Sequence, residues 1–384
     1  MIDELHAYDA YMSRIIQSLL QWCKALRIPV ILLSATLQDS QRLAYLSCYM
    51  NKGEIPQLSP AYPLITQVDT KGKLSQTSAN ATMVTVYGFQ AMRFGEDCSA
   101  IVRHALDRIR KGGCYCILVN TVRRAQEIYR VLMEMRDGDT ETLLFHARFP
   151  IDTREQLERT CLHLFGKGSD SRRPKKSILV ATQVVEQSLD IDFDGMLSEL
   201  APVDLLLQRA GRVHRHRERR RPAGFEEPII EIILPGEDAD ISLDKRYGSI
   251  GYVYAPFLLN NTEHMVENGL QVRVPDDVRS VIAAAYENIT AENKAAWQEQ
   301  AFGRQLMEVN AESVAFPEPM EDVFFAQQNR SEFLDLEVDD GLEPAMRATT
   351  RLGDPTFRIA FVSSEMLETA KNGTGTDNPV ALYQ

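Results

Sequence analysis

The sequence lacks the features that would place it in several protein classes. No apolar run reaches the ~18–20 residues that a membrane-spanning helix needs. The opening MIDELHAYD is acidic, with no basic stretch followed by an apolar block, so a secretory signal is not expected. The six cysteines, Cys23, Cys48, Cys98, Cys114, Cys116 and Cys161, form no Cys-x-x-Cys pair. That argues against a zinc ribbon or disulfide scaffold and for reduced thiols in the cytoplasm. The phosphate-cradling pattern G-x-x-x-x-G-K-[ST] is absent; Gly72-Lys73 and Gly166-Lys167 have the wrong context. There are no repeats or low-complexity tracts.

What remains is an ordinary globular balance. The chain has 384 residues, 44% hydrophobic and 25% charged, enough for two or three domains. The net charge of −12 is unevenly placed: residues 1–225 carry a net +6 and residues 226–384 a net −18. The basic part suits a phosphate-bearing partner, and the acidic part would repel one.

The first two-thirds alternate short β-rich runs with helical patterns, the signature of an α/β fold with a parallel sheet. Spacing predicts a helix over Tyr11 to Ala25, then an apolar strand, Val30 to Leu33, suited to burial on both faces. Residues 51–80, rich in Gly, Pro, Ser and Thr, read as a linker. A second α/β series follows, with helices over Ile101 to Lys111, about Arg123 to Met135, and up to Phe165. Its strands are Cys114 to Val119, Leu143 to His146, Ser177 to Ala181 and Ile229 to Leu234. Asp152 and Glu155 have capping-box spacing for the helix that ends at Phe165. Residues Val278 to Arg304 read as mostly helical, 317–345 as acidic and irregular, and Thr350 to Val362 as strand-like.

Several polar clusters stand at predicted strand ends, where α/β proteins bind ligands. Asp3-Glu4-Leu5-His6 offers one carboxylate for a water-bridged Mg²⁺ and a second to position an attacking water. Ser34-Ala35-Thr36 follows the apolar strand with two small hydroxyls, fit to relay hydrogen bonds or to cap a helix. Asn120-Thr121 ends another strand, where a phosphate contact and a plain Thr121 helix cap are equally apt. Cys114 and Cys116 share a strand face, which fits core packing better than a metal pair. Thr182-Gln183 and the turn Glu186 to Asp192 are dense in hydrogen-bonding groups. In Gln208-Arg209-Ala210-Gly211-Arg212-Val213-His214-Arg215, three-residue spacing predicts that Arg209, Arg212 and Arg215 share one face of a helix or helical turn. Arg217 and Arg219 to Arg221 extend the run and read as nucleic-acid backbone contacts or a solvated tail.

Taken together, DELHAYD, LLSATL, LVNTVRRAQEIY, LFHARF, ILVATQVVEQSLDIDFD and LAPVDLLLQRAGRVHRH resemble, in order and spacing, motifs II, III, IV, IVa, V and VI of superfamily two DExH helicases. The wording most resembles the CRISPR-associated helicase–nuclease of type I systems. VPDDVRSVIAAAYE and TRLGDPT are similar to that family's linker helix and the start of its C-terminal domain. The resemblance covers nearly the whole chain and implies two RecA-like parallel-sheet domains, with ATP in the cleft between them and single-stranded DNA crossing both. It implies ATP-driven, 3′ to 5′ translocation after recruitment by the Cascade surveillance complex. By matching motif it assigns Asp3 and Glu4 to Mg²⁺ and catalytic water, and Gln208, Arg212 and Arg215 to ATP hydrolysis. His6, Ser34 and Thr36 would couple hydrolysis to strand movement. Asp190 and Arg209 would face ATP from the second domain, and Asn120, Thr121, Thr182 and Gln183 would lie near DNA.

The expected division is 1–68 for the end of a first RecA-like domain, 69–240 for a complete second one, 241–310 for a linker with a long helix, and 311–384 for part of a C-terminal domain. Two departures qualify the resemblance. No His-Asp dipeptide of the family's nuclease domain is present, and the phosphate loop is missing. A fragment, or a split or truncated gene product, is therefore expected, inactive without a nuclease- and helicase-bearing N-terminal portion supplied in cis or trans. The first domain would leave apolar surface uncovered at Val30 to Leu33 and along the Tyr11 helix. Two other readings are another DExH RNA or DNA helicase, and a non-catalytic module in which residues 82–222 bind single strands without ATP.

Overall fold

The computed structural model describes residues 1–5, 9–50, 56–79, 83–186, 189–236 and 242–315. His6, the acidic stretch 317–345 and the strand-like stretch 350–362 lie outside them.

A small N-terminal lobe comes first. Helix α1 (Ala10–Ala25) begins at Asp9, whose carboxylate accepts from the Met12 N–H at 2.8 Å. Its apolar face, with Ile16 and Leu20, packs against Leu5, Tyr45 and Cys48. Tyr45 belongs to the short helix α2 (Asp39–Ser47). Ile2 and Leu32 pair as parallel neighbours: Ile2 N–H donates to Ile31 O and Leu33 N–H to Ile2 O, each at 2.9 Å. The predicted burial of Val30 to Leu33 on both faces does not occur. Ile31 is 60% exposed and Leu33 40%, because among the described residues only the segment around Ile2 pairs with this run. An open groove of about 2220 Å³ runs beside it, lined by Leu33, Tyr62, Arg279 and Tyr286 among others.

The stretch read as a linker holds an antiparallel hairpin, β1 (Leu64–Val68) and β2 (Leu74–Ser78). Asp69 makes the turn. Its carboxylate accepts from the N–H groups of Lys71 and Lys73, and Gly72 adopts φ +79°. The two strands lie on either side of the expected division at residue 68.

The large lobe is a seven-stranded, mainly parallel sheet. In chain order its elements are β3 (Thr85–Met92), α3 (Cys98–Arg108), β4 (Gly113–Leu118), α4 (Val122–Met135), β5 (Glu141–Phe145), α5 (Ile151–Phe165), β6 (Lys176–Ala181), β7 (Gly195–Glu199), α6 (Val203–Ala210) and β8 (Ile229–Ile233). The strands run β5-β6-β4-β7-β8-β3 in parallel. β9 (Gln271–Val274) is added antiparallel at the β3 edge. Every residue of β4 is buried, as expected for a strand covered on both faces, and Cys114 and Cys116 are core. One core lies on each face, one holding Cys116, Phe145 and Phe193, the other Ile117, Ile128 and Phe225.

The α5 start differs from the capping-box expectation. The helix begins at Ile151 after Pro150, which offers no side-chain cap, so Asp152 sits inside the first turn near the positive helix end. Downstream, α7 (Leu243–Arg246), α8 (Pro256–Glu267), α9 (Val278–Glu287) and α10 (Lys294–Val314) bring the chain back to the small lobe. α10 packs along α1, and Arg14 pairs with Glu312 at 3.3 Å. Arg279 of α9 donates to Ser59 O and lies 3.8 Å from Asp39. No helix among the described residues is long and apolar enough to cross a membrane.

Candidate functional site

The parallel pairing of Ile2 with Leu32 decides where the first-lobe groups stand. Asp3 and Glu4 follow one segment, and Ser34, Ala35 and Thr36 follow its neighbour, so both clusters emerge at the same end. Asp3 accepts from the Glu4 N–H at 2.8 Å and is exposed. Glu4 adopts φ +52°, the left-handed region that a non-glycine residue enters at a cost of about 1–3 kcal/mol. Ser34 Oγ donates to Thr36 O at 3.2 Å. Thr36 Oγ1 is buried with no hydrogen-bond partner among the described residues. Tyr62 Oη donates to Ala35 O at 2.7 Å and braces this loop.

The second-lobe groups sit at the carboxyl ends of β4, β6 and β7 and around α6. The shared face predicted for the three arginines does not form. The helix ends at Ala210, His214 takes φ +52°, and Val213 pairs with Phe193 as a parallel neighbour. Each guanidinium therefore goes a different way.

Arg209 turns into the core and is fully buried. Its Nε donates to Glu186 at 2.7 Å and its Nη1 to Ser198 Oγ and Glu199 O. Its Nη2 donates to Asn120 Oδ1 at 2.9 Å and to Tyr254 Oη at 3.3 Å. Burial pulls its pKa down, but the Glu186 carboxylate beside it more than restores it, and the net shift is upward. Arg209 thus has no side-chain donor left for a nucleotide, contrary to the ATP-facing position that the sequence suggests for it.

Arg212 lies between the lobes. Its Nη1 donates to Leu189 O at 2.7 Å and its Nη2 to Glu186 O at 2.6 Å, while Nε is buried without a partner among the described residues. Burial and repulsion from Arg215 pull its pKa down to about 10, against the attraction of Asp190, Glu4 and Glu186. Glu4 of the small lobe is therefore within electrostatic reach of Arg212. Arg215 pairs with Asp190 at 2.6 Å, and His216 reaches the same Asp190 oxygen at 3.2 Å. The hydrogen bond from Arg215 in particular holds the Asp190 carboxyl below its ordinary range. Gln208 Nε2 is a further buried donor with no partner among the described residues.

The residues expected near DNA are mostly occupied internally. Asn120 is buried: Nδ2 donates to Leu200 O at 2.8 Å, Oδ1 accepts from Arg209, and its N–H donates to Glu199 at 2.6 Å. Thr121 caps α4 by accepting from the Arg124 N–H at 3.3 Å, the structural role weighed for it. Thr182 is buried. Gln183 is half-buried, and its Nε2 donates to Asn120 O at 3.0 Å and Tyr254 Oη at 3.1 Å.

Arg219 and Arg221, read as solvated or phosphate-contacting, are largely buried instead. Arg221 bridges Asp192 at 2.9 Å and Asp194 at 3.0 Å, and Arg219 stands 3.5 Å from Asp192. Arg219 and Arg221 are folded back on DIDFD, where they help to pair the buried carboxylates of Asp192 and Asp194. Glu186 falls in the polar turn that the sequence marks, but Glu199 and Tyr254 were not singled out in the sequence. Glu199 lies next to a motif, whereas Tyr254, well downstream, carries no local signal.

The comparisons with known proteins agree with this architecture. A family model described as "CRISPR-associated nuclease/helicase Cas3, C-terminal" matches residues 111–218. The Streptococcus thermophilus nuclease/helicase Cas3 is 36% identical over 304 residues, 75% of this chain and 30% of that protein. The Escherichia coli endonuclease/helicase Cas3 is 33% identical, with 75% and 32% covered. The crystal structure of T. fusca Cas3 with ATP superposes with a TM-score of 0.75 at 32% identity, covering 83% of this chain and 38% of that one.

The chain belongs to the Cas3 family. It spans about a third of the length of the curated relatives it matches. A structure described as a CRISPR RNA-guided surveillance complex, pre-nicking, is also similar, with a TM-score of 0.72 at 32% identity.

Proposed function

We propose that this Cas3 chain forms part of an ATP-dependent single-stranded DNA translocase that acts with a nuclease in type I CRISPR interference, recruited through the Cascade complex. The observation that supports the reading is that Glu4 of the small lobe lies within electrostatic reach of Arg212 of the large one, an acid and a cation on two lobes.

The donor set suits a magnesium–triphosphate. Gln208 Nε2, Arg212 Nε and Thr36 Oγ1 are three of the buried polar atoms with no partner among the described residues, and the proposal assigns them to the polyanion. Asp3 is an exposed carboxylate, and Mg²⁺ in such sites takes one or two carboxylates with water and phosphate oxygens. ATP with Mg²⁺ supplies the cleavable phosphoanhydride and charge neutralisation. Glu4 positions or deprotonates the attacking water, while Gln208 and Arg212 stabilise developing charge, with Arg215 beside them. Ser34 and Thr36 tie this site to the DNA path, which runs past Gln183 and the strand ends around Asn120, Thr121 and Thr182. His6 would join Ser34 and Thr36 in that coupling.

Hydrolysis needs a phosphate cradle, and this sequence has no such loop. The purified chain is expected to bind single-stranded DNA, with affinity falling steeply as salt rises, and to show no DNA-stimulated ATPase. Stimulated ATPase from this chain alone, abolished by Glu4→Gln, would contradict the expected inactivity of the isolated chain and support the role of Glu4, whereas absence of single-stranded DNA binding would contradict the proposal. A second reading, strand binding without nucleotide, is favoured by the large lobe's sheet being covered by a core on each face. It requires that the complete nucleotide site, once supplied, leave DNA affinity unchanged on adding ATP.

A further inference from the structure

Among the described residues, Tyr254 is the group from the downstream part of the chain whose side chain reaches the buried Arg209 network. It lies just before α8 and far in sequence from every motif. Its Oη accepts from Gln183 Nε2 at 3.1 Å and from Arg209 Nη2 at 3.3 Å. These two donors come from different elements: Gln183 from the turn after β6, Arg209 from α6. The same two side chains also meet at Asn120, after β4: Gln183 donates to its main-chain carbonyl and Arg209 to its side-chain carbonyl. Two strand-end segments, α6 and the segment before α8 are thus tied by hydrogen bonds that pass through one phenol oxygen and one asparagine.

The consequence for Gln183 is specific. Both bonds that fix its carboxamide use Nε2, so Oε1 has no hydrogen bond among the described residues and is the atom held in a set direction. Without the phenol, Nε2 keeps only the Asn120 carbonyl, and the amide can swing about that single bond. A hydroxyl acceptor held by packing lowers the freedom lost when Gln183 meets a ligand.

We propose that Tyr254 is a positioning residue that presets Gln183 for single-stranded nucleic acid and so links the downstream segment to the strand-end face. This rests on the nucleic-acid reading of that face given above.

The test uses the full 384-residue chain and a fluorescein-labelled oligothymidylate, with Kd read by anisotropy across a salt series. Tyr254→Phe keeps the ring and removes only the acceptor. It is expected to weaken binding about three- to tenfold, the range of one modest hydrogen bond. The slope of log Kd against log salt stays as in the parent chain, because no phosphate contact is lost. Gln183→Ala is expected to weaken binding at least as much, and adding Tyr254→Phe to it to change binding no further, since the phenol's other bond, from Arg209, serves the buried network and not the strand. Amide exchange in the 182–186 turn should rise in Tyr254→Phe while β4 and β6 stay protected. Equal affinities for Tyr254→Phe and the parent, or additive effects in the double variant, would overturn the inference and leave the functional reading standing. Loss of exchange protection in β4 and β6 of Tyr254→Phe as large as that in the 182–186 turn would also overturn it, by making the phenol a general stability element. No binding by the parent chain would overturn the functional reading itself, and this inference with it.

Discussion

The guanidinium of Arg209 and the carboxylate of Glu186 stand 2.7 Å apart, and neither reaches solvent to any useful degree. The pair locks α6 to the turn after β6. Arg209 supports the site by holding Asn120, Glu186 and the end of β7 in register, with no donor to spare for substrate.

Arg209→Met should therefore act on stability. It leaves Glu186 buried without its cation, and breaking such a pair costs about 3–5 kcal/mol. Urea unfolding of the large lobe should show that loss. Adding Glu186→Gln should recover part of it, because the stranded charge is gone. A solvent-facing arginine would give less than about 1 kcal/mol.

Asp194 gives a pH signature. Burial pushes its carboxyl up, but Arg173, the Cys114 N–H and Arg221 outweigh that and hold it below its ordinary 3.8. A carboxylate lowered by folding contributes stability that is present above the ordinary value and lost as pH falls through the folded one. The parent chain should lose stability progressively below pH 3.8 on this account. Asp194→Asn should be less stable at neutral pH and show a flatter acid limb. Chemical denaturation repeated across the acid range reads both.

Gly195 stands where Phe225 crosses the sheet. A Cβ there would lie 2.5 Å from Phe225 Cε1 and 2.9 Å from Tyr115 Cε2. Both rings are buried, and Arg108 caps the Phe225 face at 4.6 Å. Gly195→Ala should cost about 1–3 kcal/mol through overpacking, and adding Phe225→Leu should recover part of it. A neutral Gly195→Ala would contradict the packing described.

Much of the sheet was legible because its strands are continuous apolar runs that alternate with periodic helices. Val30 to Leu33 shows the limit: an apolar run reveals a strand but not its neighbours, and here one face stays open. The hairpin at 64–78 was hidden by polar, half-exposed strands that carry almost no periodic signal. Within the site, residue types and order pointed to the right segments, but spacing could not show direction. Arg209, Arg212 and Arg215 share a period, yet the helix stops at Ala210, so one turns inward, one lies between the lobes and one pairs with Asp190. The partners of Arg219 and Arg221 lie some 30 positions upstream in DIDFD, a long-range pairing that no local pattern encodes.

The proposed nucleotide site requires Glu4 and Arg212, which lie within electrostatic reach of each other, to be near neighbours across the two lobes, and a cross-link tests that most directly. Cysteines at both positions, as Glu4→Cys with Arg212→Cys, would be placed in a chain carrying Cys23→Ser and Cys98→Ser, the two partly exposed thiols. The buried thiols are poor nucleophiles, since burial pushes Cys48 and Cys114 up to about 11 and Cys161 to about 12. A short bismaleimide should join the two lobes in the double variant and leave each single variant unlinked, as mapped by peptide mass spectrometry. Complete labelling of both cysteines with no cross-link between them would contradict the account.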